Sequence, residues 1–137
     1  MTARRYVLDT NILISAALMP GKPFQVLQHV LETGVVIFSN DTFEEILRRL
    51  MRSKFDRYIS QATRRRFLTD LEAVADWTAI TGALRACRDA DDDKILETAL
   101  AAGAECIVTG DQDLLVLHPF QGIAIITPEA FLNAAMR

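Results

Sequence analysis

Short apolar runs alternate along the chain with stretches whose apolar residues recur at helical spacing, the pattern of a βαβ protein built on a parallel sheet. Tyr6-Val7-Leu8 predicts a short buried strand that ends at Asp9. A helical stretch follows, broken at Pro20-Gly21, after which Phe24, Val26, Leu27, Val30 and Leu31 continue at helical spacing. Gly34 predicts the end of that helix, and Val35 to Phe38 a second strand. Ser39 and Asn40 suit the N-cap of a helix whose apolar face is Phe43, Ile46, Leu47 and Leu50. Ser60 predicts another cap, with Phe67, Leu71, Val74 and Ala75 facing inward, and Trp77 to Ile80 reads as a short strand. Asp89 or Asp91 caps a helix carrying Ile95, Leu96, Ala99 and Leu100 that stops at Gly103. Cys106 to Thr109 and Ile123 to Ile126 are the remaining strands, and Pro128 falls in the first turn of a C-terminal helix. The sum is α/β, a three-layer α/β/α sandwich around a parallel sheet of about five strands.

The length of 137 residues fits a single domain, 1–137, with room for a proper core. The net charge of -3 gives no overall basic signature of a nucleic-acid binder, but the charge is segregated. Eight of the 15 Lys and Arg residues lie between Arg48 and Arg66 against one acid, Asp56, and eight of the 18 acids lie between Asp89 and Asp113. Such separation of sign matters more than the total when the ligand is a polyanion. Cys87 and Cys106 lack a CxxC or nearby His pair and read as free thiols in a reducing compartment. Asp9 and Asn11 interrupt the apolar run at the start, which therefore fails as a signal peptide or membrane span. The expectation is a soluble cytoplasmic protein with no membrane partner.

The acids bring in the chemistry. Ligands of open parallel sheets bind beyond the carboxyl ends of the strands. Asp9 follows the first strand, and Asp111 and Asp113 follow the Cys106–Thr109 strand, so acids far apart in sequence can converge at one edge. Asp89, Asp91, Asp92 and Asp93 precede a helix, and fold logic alone does not bring that helix start to the same edge. At an effective dielectric near 20, two like charges about 5 Å apart repel by roughly 3 kcal/mol. A hard divalent ion with oxygen ligands removes that penalty.

Each acid also has a plainer reading. Asp9 suits a turn, the acids from Asp89 to Asp93 suit helix capping and solvation, and Gly110-Asp111-Gln112-Asp113 suits a turn without function. Helical spacing leaves Glu45 off the apolar face beside Arg48, Arg49 and Arg52, where a surface ion pair with Arg49 accounts for it.

Taken together, four segments resemble the signatures of the PIN-domain family. VLDTNILIS resembles the first, SNDTFEEILRRLMRSKF the second, and CRDADDDKILETALAAGAECIVTGDQDLL the third and fourth run together; the likeness extends from about Tyr6 to Phe131. The wording is closest to the bacterial toxin branch of toxin–antitoxin pairs, similar to VapC. The resemblance implies strand order 3-2-1-4-5 and endoribonuclease cleavage dependent on Mg²⁺ or Mn²⁺, leaving 5′-phosphate and 3′-hydroxyl ends. It implies that Asp9, Glu45, Asp92 and Asp111 are the catalytic, metal-holding acids, with Asp89 and Asp113 auxiliary. Asn11, Thr109 and, more weakly, Ser15 are candidates to support the ligating carboxylates through hydrogen bonds, although Asn11 and Ser15 equally suit capping or a polar helix face. Arg48, Arg49, Arg52 and Lys54 are candidates to grip the RNA backbone, a role that competes with a solvated helix surface and with docking of an antitoxin. Phe55 and Tyr58 fit the core better than base stacking. Family habit also implies a cognate antitoxin and a homodimer.

Two other classes compete. A phosphoacceptor receiver-like signalling domain wants paired acids after its first strand and Lys before the Pro that follows its last, where this chain has a single Asp9 and Thr127. A phosphohydrolase with an aspartyl nucleophile wants Asp where Asn11 stands. A PIN fold used for binding or regulation stays open, because fold does not establish activity, and so does cleavage of DNA.

Overall fold

The computed structural model describes residues 3–135. The chain runs β1 (Arg4–Leu8), α1 (Thr10–Leu18), α2 (Lys22–Thr33), β2 (Gly34–Phe38), α3 (Asn40–Leu50), α4 (Gln61–Val74), β3 (Asp76–Trp77), α5 (Ala90–Ala102), β4 (Cys106–Val108), α6 (Gln112–Leu115), β5 (Ala124–Ile126) and α7 (Pro128–Ala135). The five strands form one parallel sheet, as the pattern of apolar runs predicts, in the order β3-β2-β1-β4-β5 that the family resemblance implies. Alternation along β1 divides the core between two layers. Tyr6 and Leu8 pack with buried side chains of α1, α2, α3, α4 and α7, and Val7 packs on the other face with those of α5 and α6. The result is an α/β/α sandwich. Among the described residues no helix is long and apolar enough to cross a membrane.

Local chemistry sets the element ends. Ser39 caps α3 through a reciprocal box with Thr42, Ser60 caps α4, and Asp89 rather than Asp91 caps α5. Gly103 ends α5 in the left-handed region, at φ 63°. Gly34 ends α2 for a different reason: its backbone is extended, and a Cβ there would lie 2.4 Å from the carbonyl oxygen of Arg4, its partner across β1 and β2.

Four residues expected inside are exposed: Leu47 and Val74, at 43% and 54%, and also Phe24 and Leu31. On α4 the buried side is Arg64, Leu68 and Leu71, so a stripe that starts on an arginine is invisible to a search for apolar residues. Arg64 is fully buried and donates to the carbonyls of Leu50 (2.9 Å), Arg52 (3.2 Å) and Ile59 (3.2 Å) and to Asp56. One of the eight cations of the basic segment is thus structural. The strand expected from Trp77 to Ile80 is shorter and earlier, Asp76–Trp77, and is extended only by the amide of Thr78 bonding to Phe38.

Candidate active site

Beyond the carboxyl ends of β1 and β4, a cleft of about 360 Å³ is lined by Asp9, Asn11, Glu45, Arg48, Arg49, Arg52, Asp89, Asp91, Asp92, Ile95 and Asp111. The parallel register sets Leu8 beside Val108, and the amide of Asp9 carries the ladder one bond further to the Val108 carbonyl. Asp9 and the segment from Thr109 to Asp111 therefore leave the sheet side by side.

Asp9 is buried and stands as the N-cap residue of α1. Its Oδ2 accepts the Thr109 hydroxyl at 2.7 Å, and Thr109 Oγ1 in turn accepts the amide of Asp111 at 3.0 Å. Burial pushes the Asp9 carboxyl up, helped by Asp111; the bonds from Thr109 and Thr10 and the charge of Arg49 work the other way without cancelling it. Asp111 caps the short α6 by accepting the amide of Asp113.

Asp92 lies in the first turn of α5, buried. Thr98 Oγ1, six residues on, sits 2.9 Å from Ser39 Oγ just beyond β2, a buried contact that ties α5 to the cap of α3. Burial raises the Asp92 carboxyl to about 7, with Asp111, Asp89 and Asp9 adding to the shift. One carboxylate oxygen from each of Asp92, Asp111 and Asp113 lies within 4.8 Å of the others, so Asp113, expected to be auxiliary, joins two of the cleft acids. It does not line the cleft, and it also pairs with Arg88 at 2.9 Å.

Glu45 lies in the cleft where the resemblance puts it, not on the surface that helical spacing alone suggests. It is buried, with Oε1 accepting from Arg49 Nη1 at 3.1 Å, so the ion pair exists but inside the cleft wall. Its Oε2 is the one buried side-chain polar atom without a hydrogen-bond partner among the described residues. Asn11 is exposed, and its Oδ1 accepts from Arg49 Nη2 at 2.6 Å. Ser15 is half-buried in an adjoining groove shared with Asp9, Asn11 and Asp111, with no hydrogen bond to an acid among the described residues. Of the basic candidates, Arg48, Arg49 and Arg52 reach the cleft; Lys54 does not, and its ammonium sits 5.1 Å from the Phe55 ring. Phe55 packs against the core as expected, but Tyr58 is exposed beside Arg57.

Two acids do work that the sequence reading assigned to capping and solvation, or passed over. Asp93 is buried and accepts the amides of Ala86 (2.8 Å) and Cys87 (2.7 Å), which hold its carboxyl below the ordinary range. Burial works to raise Glu97, but the donors at Thr81, Leu84 and Gly82 outweigh it and keep it low. Together they fasten the loop from 78 to 88 onto α5. Both cysteines are free, and burial pushes Cys87 up to about 11 and Cys106 to about 12, so neither is poised as a nucleophile.

The donor set fits a divalent cation. It consists of oxygens, two of the carboxyls are held above their usual range by burial and by their neighbours, and one buried carboxylate oxygen has no donor. A hard cation answers all three conditions.

A family model described as PIN domain matches residues 5–113. No match to a curated protein was found. Among solved structures, PAE2754 from Pyrobaculum aerophilum is similar over 98% of this chain and 91% of its own, with a TM-score of 0.62 at 15% identity. VapBC2 from Rickettsia felis, bound to a DNA fragment from its promoter, is similar over 90% of this chain and 98% of its own, with a TM-score of 0.56 at 14% identity. At these identities the likeness is one of fold.

Proposed function

Since the chain belongs to the PIN-domain family, we propose that it is a metal-dependent endoribonuclease, the toxin of a toxin–antitoxin pair. The observation that carries the reading is the meeting of Asp9, Glu45, Asp92 and Asp111, from four separate segments, in one cleft whose rim holds Arg48 and Arg52. In this reading those four acids hold Mg²⁺ or Mn²⁺, with Asp89 and Asp113 as auxiliary acids. Once bound, the ion supplies a water of lowered pKa and a counter-charge for the departing oxygen.

The remaining roles belong to the chain itself. Thr109 fixes the orientation of Asp9 through its hydroxyl, so that the carboxylate does not have to be ordered when the ion arrives. Asp92 carries a proton on its carboxyl up to about pH 7 in the metal-free protein, which relieves its repulsion with Asp111. Arg48 and Arg52 draw the phosphate backbone toward the acids and hold it there. Asn11 supports the α1 side of the site through the bond it accepts from Arg49, and Ser15 contributes only its place in the adjoining groove. A cognate antitoxin, a homodimer, a single-domain chain and a cytoplasmic location belong to the same reading. The VapBC2 structure of Rickettsia felis, similar in fold, supports the toxin–antitoxin part.

The test is incubation of EDTA-stripped protein with mixed RNAs, with and without Mg²⁺ or Mn²⁺, beside Asp9→Asn. Cleavage that needs metal and is lost in the variant is the expected result. Folded protein that cleaves nothing with either metal would overturn it in favour of a binding or regulatory role.

A further inference from the structure

Arg49 stands one turn after Glu45 on α3, lines the cleft, and bridges α3 and α1 with its guanidinium. One nitrogen donates to Glu45 Oε1 at 3.1 Å, and the other donates to Asn11 Oδ1 on α1 at 2.6 Å. The arrangement is asymmetric in its access to solvent: the Arg49 side chain is 28% exposed and that of Glu45 8%. Arg48 and Arg52, which line the same cleft, have no ion pair among the described residues. Arg49 is thus the one cleft arginine already committed to an acid of the site.

That commitment sets up two competitions. While Arg49 holds Oε1, Glu45 has only Oε2 to offer a cation, and the guanidinium charge beside it weakens that donor; Arg49 in turn cannot give its fork both to Glu45 and Asn11 and to a phosphate. A guanidinium matches a phosphate with two parallel hydrogen bonds, as it matches a carboxylate. We infer that Arg49 is a phosphate-responsive counter-ion for Glu45: with no nucleic-acid backbone in the cleft it leaves the divalent ion one charge-weakened oxygen of Glu45, and an arriving backbone phosphate draws it away and frees the whole carboxylate. The inference rests on the metal-dependent nuclease reading. By linkage, phosphate must then tighten metal binding and metal must tighten phosphate binding by the same factor. The site would load its ion preferentially when a polynucleotide is present. Were Arg49 instead a brace that orients Glu45 for the ion, its removal would weaken metal binding, so the two roles differ in sign.

The experiment is an Mn²⁺ titration followed by the electron paramagnetic resonance signal of the free ion, on full-length wild type, Arg49→Met, Arg48→Met and Asp92→Asn. Each is titrated with and without a phosphorothioate oligoribonucleotide of mixed sequence. The expected result without oligonucleotide is that Arg49→Met binds Mn²⁺ roughly tenfold more tightly than wild type, within the range usual for coupled sites. Arg48→Met, which removes the same charge without breaking the bridge, should gain much less. The oligonucleotide should tighten Mn²⁺ binding in wild type and lose that effect in Arg49→Met. Weaker or unchanged binding in Arg49→Met, or an equal gain in Arg48→Met, would overturn the inference. The wild-type arm needs no variant: an affinity indifferent to the oligonucleotide overturns it as well. Asp92→Asn checks the underlying reading separately, because binding as tight as in wild type there would remove the metal site itself, whatever Arg49 does.

Discussion

The hydroxyl of Thr109 donates to Asp9 Oδ2 at 2.7 Å although the two residues stand 100 apart in the chain. Thr109 is fully buried and also accepts the Asp111 amide, so one side chain sets the spacing of two of the acids. Thr109→Val keeps the shape and deletes both bonds. We expect Mn²⁺ affinity and cleavage to fall about 10–100-fold, the usual cost of losing a partner behind a ligand. Isothermal titration against wild type checks this, and an unchanged affinity would mean that packing alone orients Asp9.

The raised carboxyl of Asp92 makes the metal-free protein sensitive to pH in a stated direction. Its folded value, about 7, lies above its ordinary 3.8. The stabilisation that comes from holding this proton is complete below the unfolded value and is lost as pH rises through the folded one. The melting temperature of EDTA-treated protein should therefore fall between about pH 4 and pH 7, beyond any general trend, and Asp92→Asn should flatten that fall. Added Mn²⁺ should restore stability above pH 7 and do little near pH 5, where the proton competes for the same oxygens. A melting profile identical in wild type and variant would refute the assignment.

Arg64 ties the segment after α3 to α4 through three carbonyls and Asp56. Arg64→Met leaves those carbonyls without a donor in a buried place. Urea denaturation should show a loss of at least about 3 kcal/mol, the lower end for breaking a buried charged network. Arg66→Met, whose ion pair with Asp70 is exposed, should change stability by less than about 1 kcal/mol. Equal effects from the two would contradict the structural role.

Gly34→Ala puts a methyl group against the Arg4 carbonyl, where 2.4 Å of room exists. The backbone of β1 or β2 must move, at a cost of about 1–3 kcal/mol. Thermal melting reads it, and the same substitution at Gly110, where nothing lies within 4 Å, is the control expected to be nearly silent.

The sheet and its strand-end acids were legible because both follow from patterns that need no partner: apolar runs, cap residues and the rule that parallel strands share an edge. Asp9 and Asp111 fell out of that logic. Glu45 did not, and the reason is geometric. At about 100° per residue, Phe43, Ile46, Leu47 and Leu50 define an arc that leaves Glu45 well outside it. The buried arc actually runs through Thr42, Phe43, Glu45, Ile46 and Leu50, displaced toward the polar cleft, and Leu47 is turned out. A helix that borders a polar cavity buries polar residues, and apolar periodicity alone misplaces its face. Arg64 was missed on α4 for a related reason, and Asp93 and Glu97 because their partners are the amides of an aperiodic loop. Asp92 reaches the cleft on a helix fastened to the cap of α3 by the buried Thr98–Ser39 contact, which no local pattern announces.

The pairing of β1 with β4 has a temporal side. During synthesis β1 leaves the ribosome before its partner β4, which follows about a hundred residues later, some 5–20 s at ordinary rates of elongation. Through that interval the central strand of the sheet has one flank without its neighbour, an edge that invites pairing with other chains. On the proposed function, a nascent, stalled or truncated chain that stops before Thr109 also lacks Asp111 and the hydroxyl that sets Asp9. Such a chain would be harmless as a nuclease and hazardous as an aggregate, so the proposed activity would wait until β4 and the turn after it have been made.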